Sequence, residues 1–219
     1  MKIAVLGSGN VGQTIGSRLI ELGYEVVMGT RNIQNEKAQH WVAQHTAQVA
    51  SHTIFETAAQ QAENIVFNCT NGSHTLEALH MTTAEALAGK ILVDLSNSLD
   101  FSQGMPPTLL VQNKDSLGEQ IQREFPEARV IKSLNTLNAK LMLNPRNLNE
   151  SHMVFLSGNE PAAKTQFGIL LQKAGWEPHE IVDLGDISSS RGPEMFLPLW
   201  LRIYQSIGTA DFNIKIVKS

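Results

Sequence analysis

A chain of 219 residues, 42% hydrophobic and 17% charged, has room for one good core or for a core with an appendage. A net charge of −4 and the lack of any basic block argue against nucleic acid as a partner. The single cysteine, Cys69, excludes an internal disulfide and fits a reducing cytoplasm. No stretch has the form of a secretory signal or the length of a membrane span, so the chain reads as soluble and untargeted, with no membrane partner.

Strands and helices alternate from the first residue. KIAVL (Lys2 to Leu6) is a continuous apolar strand of the kind buried on both faces. Val11, Ile15, Leu19 and Leu22 follow at helical spacing, and Gly23 supplies the stop. EVVM is the second strand. A polar helix around Trp41 and Val42 leads to a short third strand near AQVA (Ala47 to Ala50). Phe55, Ala58, Ala59 and Ala62 mark the next helix, and NIVFNCT (Asn64 to Thr70) the fourth strand. Leu76, Leu79 and Leu87 stripe a helix before the fifth strand, KILVDL. The segment from Ser96 to Ser116 is long and irregular, the kind of loop that carries function inside a compact domain.

RVIKSL (Arg129 to Leu134) restores the pattern. HMVFLSG is a strand, Phe167, Leu170, Leu171 and Ala174 mark a helix, and HEIVDLG is a further short strand. A last helix runs from about Gly192 to Ser206, followed by an alternating tail, FNIKIV. This order predicts an α/β fold with a doubly wound, mostly parallel sheet of Rossmann type and a small C-terminal extension. Residues 1–145 form the nucleotide-binding domain. Residues 146–219 form an extension that packs on the same sheet and completes the substrate pocket.

Between the first strand and first helix stands GSGNVG, with Gly7, Gly9 and Gly12 in the G-x-G-x-x-G spacing. Gly7 permits the tight turn, Gly9 lets a pyrophosphate approach the backbone, and Gly12 lets the helix pack close. The helix N-terminus adds free N–H groups and a positive dipole end. After the second strand, where NAD sites carry an acid, this chain has Thr30, Arg31 and Asn32. A guanidinium binds phosphate through charge-assisted bonds, so the turn favours NADP(H). The bland alternative is a solvated loop arginine.

Small polar residues end the later strands: Thr70 and Asn71, Ser96 and Asn97, Asn135 and Thr136. They are placed either to hold ribose and nicotinamide or to cap the turns that follow. The seven histidines are scattered, and His40 and His45 are badly spaced for a metal, so no metal site is expected. His74 follows a strand end and either approaches a substrate or is a first-turn helix residue, the reading preferred here; Cys69 reads as a packed thiol, and Asp94 as bonding locally. No catalytic side chain is assigned. Hydride transfer needs little acid–base machinery, and a non-catalytic redox sensor or regulatory module that binds NADP(H) would look the same.

The opening stretch KIAVLGSGNVGQTIGSRLIELGYEVVMGTRN resembles the start of NADPH:F420 oxidoreductases, where F420 is a deazaflavin coenzyme. It is also similar to the oxidoreductase domains of STEAP metalloreductases. The resemblance continues through VDLSN, KSLNTLNA and VFLSGNEPAAK to VDLGDISSSRGPEMFLPLWLRI, and so spans essentially the whole chain. It implies NADP on Ser8, Gly9, Asn10 and Val11, with Thr30 and Arg31 on its extra phosphate. It also implies hydride exchange with a second ring beside Ser133 to Ala139, in a pocket completed by the carboxy-terminal portion. The acceptor is then a planar small molecule: a flavin, deazaflavin or quinone-like ring.

Phe101, Met105, Pro106 and Pro107 are candidates for an apolar lid over the nicotinamide, backed by Met195, Phe196 and Trp200. The alternative makes these residues core or dimer interface. Arg191 is expected to cap or cross-link the fold. A short relative of the pyrroline-carboxylate or hydroxyacid reductases ranks last, because those add a long helical domain and the later part of this chain contains strands. The apolar last helix and the tail point to a homodimer.

Overall fold

A computed structural model describes residues 1–46 and 49–218. The first half alternates as expected: β1 (Lys2–Leu6), α1 (Asn10–Glu21), β2 (Glu25–Thr30), α2 (Glu36–Ala43), β3 (Ala50–Ile54), α3 (Phe55–Gln61), β4 (Ile65–Asn68), α4 (Thr75–His80), α5 (Ala84–Leu87) and β5 (Ile91–Asp94). A small antiparallel pair, β6 (Leu99–Asp100) and β7 (Thr108–Leu109), then precedes α6 (Leu117–Glu124) and β8 (Arg129–Ser133). The chain ends with α7 (Ala139–Met142), β9 (Val154–Ser157), α8 (Pro161–Lys173), β10 (Ile181–Asp183), α9 (Arg191–Met195) and α10 (Leu197–Ile207).

Eight strands form one sheet in the order β10-β9-β8-β5-β4-β1-β2-β3. Pairing is parallel from β3 through β8. β9 runs antiparallel to β8, and β10 is parallel to β9. Alternate residues of each strand feed opposite faces, as a pleated strand requires. Ile3, Val5, Val26, Met28, Phe67 and Val93 enter one core, covered by α1 and α8. Ala4, Leu6, Val27, Val66, Leu92 and Val130 enter the other, covered by α3 and α6. Each fully buried Leu, Ile or Phe of these sets contributes about 1.5–3 kcal/mol.

Helix α1 buries the stripe Gly12, Ile15, Gly16 and Leu19. Gly16 matters for packing, since a Cβ there would sit 2.7 Å from the Trp41 ring. Trp41 and Trp176 are fully buried, and each indole N–H has a partner: Ser17 Oγ for Trp41 and the Met142 carbonyl for Trp176, both at 2.9 Å. Satisfying that donor removes the main cost of burying the ring.

The structure departs from the sequence reading in several places. The one helix expected from Leu76, Leu79 and Leu87 is two, α4 and α5, separated at Met81 to Thr83, where Thr83 caps the second. The third strand begins at Ala50, so only the last residue of AQVA belongs to it; Ala47 and Gln48 lie outside the described residues. The irregular segment after β5 contains the β6–β7 pair. The final helix is broken at Phe196, because Pro198 has no N–H to donate back to Glu194 and instead starts α10. The tail forms no strand among the described residues. Its Ile214 carbonyl accepts the Met153 N–H at 2.9 Å, and Asn213 Nδ2 donates to the Met153 carbonyl at 2.7 Å, so it docks beside the entry to β9.

Candidate nucleotide-binding site

Strand order runs outward in both directions from the neighbours β1 and β4, which makes their carboxyl ends the topological switch point. A cavity of about 510 Å³ opens there, walled by the turns after β1, β2 and β4. At the first turn Gly7 has φ +114°, and a Cβ on it would stand 2.8 Å from the Cys69 carbonyl oxygen. A Cβ on Gly12 would overlap the Gly7 carbonyl at 1.9 Å, so the start of α1 can lie against the turn only without one. Gly9 faces open space, with nothing within 4 Å of the position its Cβ would take. Helix α1 has no side-chain cap and no acidic residue in its first turn, so its N-terminal N–H groups and positive dipole end stay uncompensated.

Gly7, Ser8, Gly9, Thr30, Arg31, Asn32, Thr70 and Asn71 all line this cavity. Arg31 is exposed and has no ion pair or hydrogen bond to any of the described residues. Thr30 differs from the expectation of a free donor. It is buried, and its hydroxyl donates to the Asn32 carbonyl at 2.7 Å, bracing the turn that presents Arg31.

Three further expected residues turn away from the cavity. Asn10 lies in a groove between α1 and α7, Val11 packs on the core, and Gly12 is inside the turn.

The polar ends of β4 and β5 favour the capping alternative. Asn71 Oδ1 accepts the Ser73 N–H at 3.0 Å and so starts the next turn. Thr70 Oγ1 donates to Asn68 Oδ1 at 2.7 Å. Ser96 Oγ donates inward to Asp94 Oδ1 at 2.7 Å. Asn97 and Asn135 bond to each other: Asn97 Nδ2 to the Asn135 carbonyl and Asn135 Nδ2 to Asn97 Oδ1, both at 3.0 Å. Ser96, Asn97 and Asn135 shape the loops at the mouth and do not line the cavity, whereas Thr70 and Asn71 line it while bonding to Asn68 and Ser73. Cys69 does line it, but burial, then Asp94, pushes its thiol well above the ordinary range, so it stays protonated.

Asp94 reaches further than its local bonds to Ser96. Its Oδ2 meets Lys132 Nζ at 2.6 Å. Lys132 also reaches Glu194 Oε1 at 2.8 Å and the Ser96 carbonyl at 2.6 Å, so its three protons meet three acceptors. Desolvation pulls the Lys132 pKa down, but Asp94 and Glu194 outweigh it and hold the ammonium charged. The two carboxylates leave one surplus negative charge. Glu194 discharges it on α6, accepting the Leu117 and Gly118 N–H groups at 2.8 and 3.0 Å. Arg191 cross-links the same elements as expected, in a two-point bond to Glu119 on α6.

The proposed lid segment meets the last helix as expected, though at Pro198 and Arg202 and not at Met195, Phe196 or Trp200. Met105, Pro106 and Pro107 share a surface hollow with Pro198 and Arg202 of α10, and Phe101 is exposed. Phe196 instead joins Thr136, Phe155, Gly192, Pro193 and Ile214 around a mainly apolar pocket of about 250 Å³. The sequence reading missed Asn35, Phe55, Glu77, Ala78 and Met81 in the main cavity; His74, weighed both as a substrate-facing residue and as a helix-turn residue, lines it. For Asn35 a signal existed: an Asn directly before an acidic first turn is an N-cap pattern. His74 stands 3.5 Å from Glu77 at the rim.

A glycine turn at the switch point of a doubly wound sheet, with a free cation after β2, defines a dinucleotide-binding protein. The family described as NADP oxidoreductase, coenzyme F420-dependent, matches residues 2–98. A crystal structure from Arthrobacter sp. FB24, provisionally named an F420-dependent NADP-reductase, covers all of both chains with 48% identity and a TM-score of 0.93. Metalloreductase STEAP3 of Rattus norvegicus is 29% identical over 91% of this chain and 38% of its own length. Metalloreductase STEAP2 of Homo sapiens is 30% identical over 91% of this chain and 36% of its own. The chain thus spans little more than a third of those curated relatives. It belongs to the F420-dependent family of NADP oxidoreductases. Among the described residues no helix is long and apolar enough to cross a membrane.

Proposed function

We propose that this protein transfers a hydride between NADP(H) and a planar acceptor of flavin, deazaflavin or quinone type. The observation that carries the reading is the unpaired Arg31, presented at the rim of a cavity whose floor is the bare Gly9 turn. The residues fit the cofactor. The open Gly9 position and the uncapped α1 N-terminus suit a pyrophosphate, and Arg31 suits the 2′-phosphate. Phe55, Ala78 and Met81 supply an apolar wall for the adenine.

Bound NADPH supplies the hydride; the protein's part is to bind, orient and exclude. Fixing the ring against its acceptor turns a bimolecular encounter into a positioned one. No side-chain nucleophile is needed, and the protonated Cys69 offers none. The apolar pocket around Thr136 and Phe196 is our choice for the acceptor, because a flat conjugated ring gains most from an apolar slot. The same reading places the protein in the cytoplasm as a homodimer, with the exposed Leu199, Tyr204 and Ile207 of α10 forming the apolar contact face.

Steady-state NADPH oxidation with FMN, a deazaflavin and a quinone tests this. Turnover of at least one planar acceptor is expected, with little for simple aldehydes or ketones. Tight NADPH binding without turnover of any planar acceptor contradicts it.

A further inference from the structure

We infer that Asn35 reads the 2′-phosphate together with Arg31, and sets cofactor preference through the donors of its side-chain amide. The inference rests on the NADP(H) reading above and deepens it.

Asn35 is the N-cap of α2. Its Oδ1 accepts the Ala38 N–H and the Ser8 hydroxyl, each at 3.0 Å. A backbone N–H can only donate, so the oxygen must face Ala38 and the amide cannot be flipped. Nδ2 is therefore the other end of the amide, and it has no partner among the described residues. Asn35 lines the same cavity as Arg31 and Ser8. A guanidinium without a counter-ion and an amide with two free donors thus line one cavity, and the Ser8 hydroxyl of the glycine turn helps hold the amide in place.

Capping alone does not explain an asparagine here. Asp and Ser cap as well as Asn, and either accepts from Ala38. What Asn adds is two N–H donors without negative charge. A ribose hydroxyl has no need of that, because a carboxylate serves it well. A phosphate does, because a carboxylate in this place would repel it.

The test is equilibrium binding of NADPH and NADH to the full chain, followed by nicotinamide fluorescence. Wild type, Asn35→Asp, Asn35→Ser and Arg31→Ala are compared, with melting temperatures taken without ligand. Both Asn35 variants keep the cap and are expected to melt close to wild type. Asn35→Asp is expected to weaken NADPH binding at least about tenfold while affecting NADH far less. Asn35→Ser is expected to weaken NADPH selectively by about threefold or more, because the shorter side chain, with one O–H donor, does not replace the two amide N–H donors. An unchanged NADPH-to-NADH ratio in Asn35→Ser overturns the inference, since the Asp effect would then be long-range charge only. Equal weakening of both cofactors also overturns it. In either case, collapse of the ratio in Arg31→Ala leaves the NADP(H) reading standing. If Arg31→Ala also keeps the wild-type ratio, both fall.

Discussion

Arg31 owes its availability to its neighbours. Thr30 spends its hydroxyl on the Asn32 carbonyl and so holds the turn in shape. The guanidinium projects from that turn with no carboxylate beside it among the described residues. A residue that binds nothing within the fold loses nothing by binding a ligand, which is why a free cation at a cavity rim informs more than a paired one. Arg31→Asp should weaken NADPH at least about tenfold relative to NADH in a binding titration, since one charge-assisted contact is lost and a repulsion gained. Unchanged preference would remove Arg31 from the account. At this scale the glycine motif was legible because each glycine answers a steric demand that the strand–turn–helix context already sets. Ser96, Asn97 and Asn135 were not, because a small polar residue at a strand end serves a ligand or a neighbouring loop equally well. Only the mutual amide bonds of Asn97 and Asn135 decide between them.

Among the elements, the joint between β5, β8, α6 and α9 has the highest electrostatic stakes. Lys132 follows two apolar residues, Val130 and Ile131, in its strand, and nothing local announces its partners. One of them, Glu194, comes from α9, far along the chain. The SSSRGPE stretch therefore works as a clamp. Arg191 grips Glu119, while Glu194 receives both Lys132 and the first N–H groups of α6. The clamp fixes α9, and with it Gly192 and Pro193 in the wall of the apolar pocket. Lys132→Met would leave Asp94 and Glu194 buried without their cation, at a cost of about 3–5 kcal/mol. A fall in melting temperature of about 10 °C is expected for a chain of this size. A fall of a degree or two would mean that the α6 N-terminus and the surrounding N–H groups already satisfy both carboxylates.

For the whole molecule, the sheet was readable because apolar runs of strand length alternate with helical stripes, and that alternation leaves few topologies. The antiparallel entry of β9 was not, since a strand's direction depends on how the connection crosses the sheet and not on the strand's own residues. The loop after β5 was legible in part: its apolar residues were expected against the last helix, and Met105, Pro106 and Pro107 do meet α10, at Pro198 and Arg202. The central claim is that NADP lies across the switch point with its extra phosphate at Arg31 and its nicotinamide toward the mouths of β4 and β5. The measurement that tests it most directly is the crystal structure of the protein bound to NADP⁺. The account predicts the 2′-phosphate within hydrogen-bond distance of the Arg31 guanidinium and the pyrophosphate over Gly9. A complex in which Arg31 points into bulk water, or in which the pyrophosphate avoids the α1 N-terminus, would contradict it.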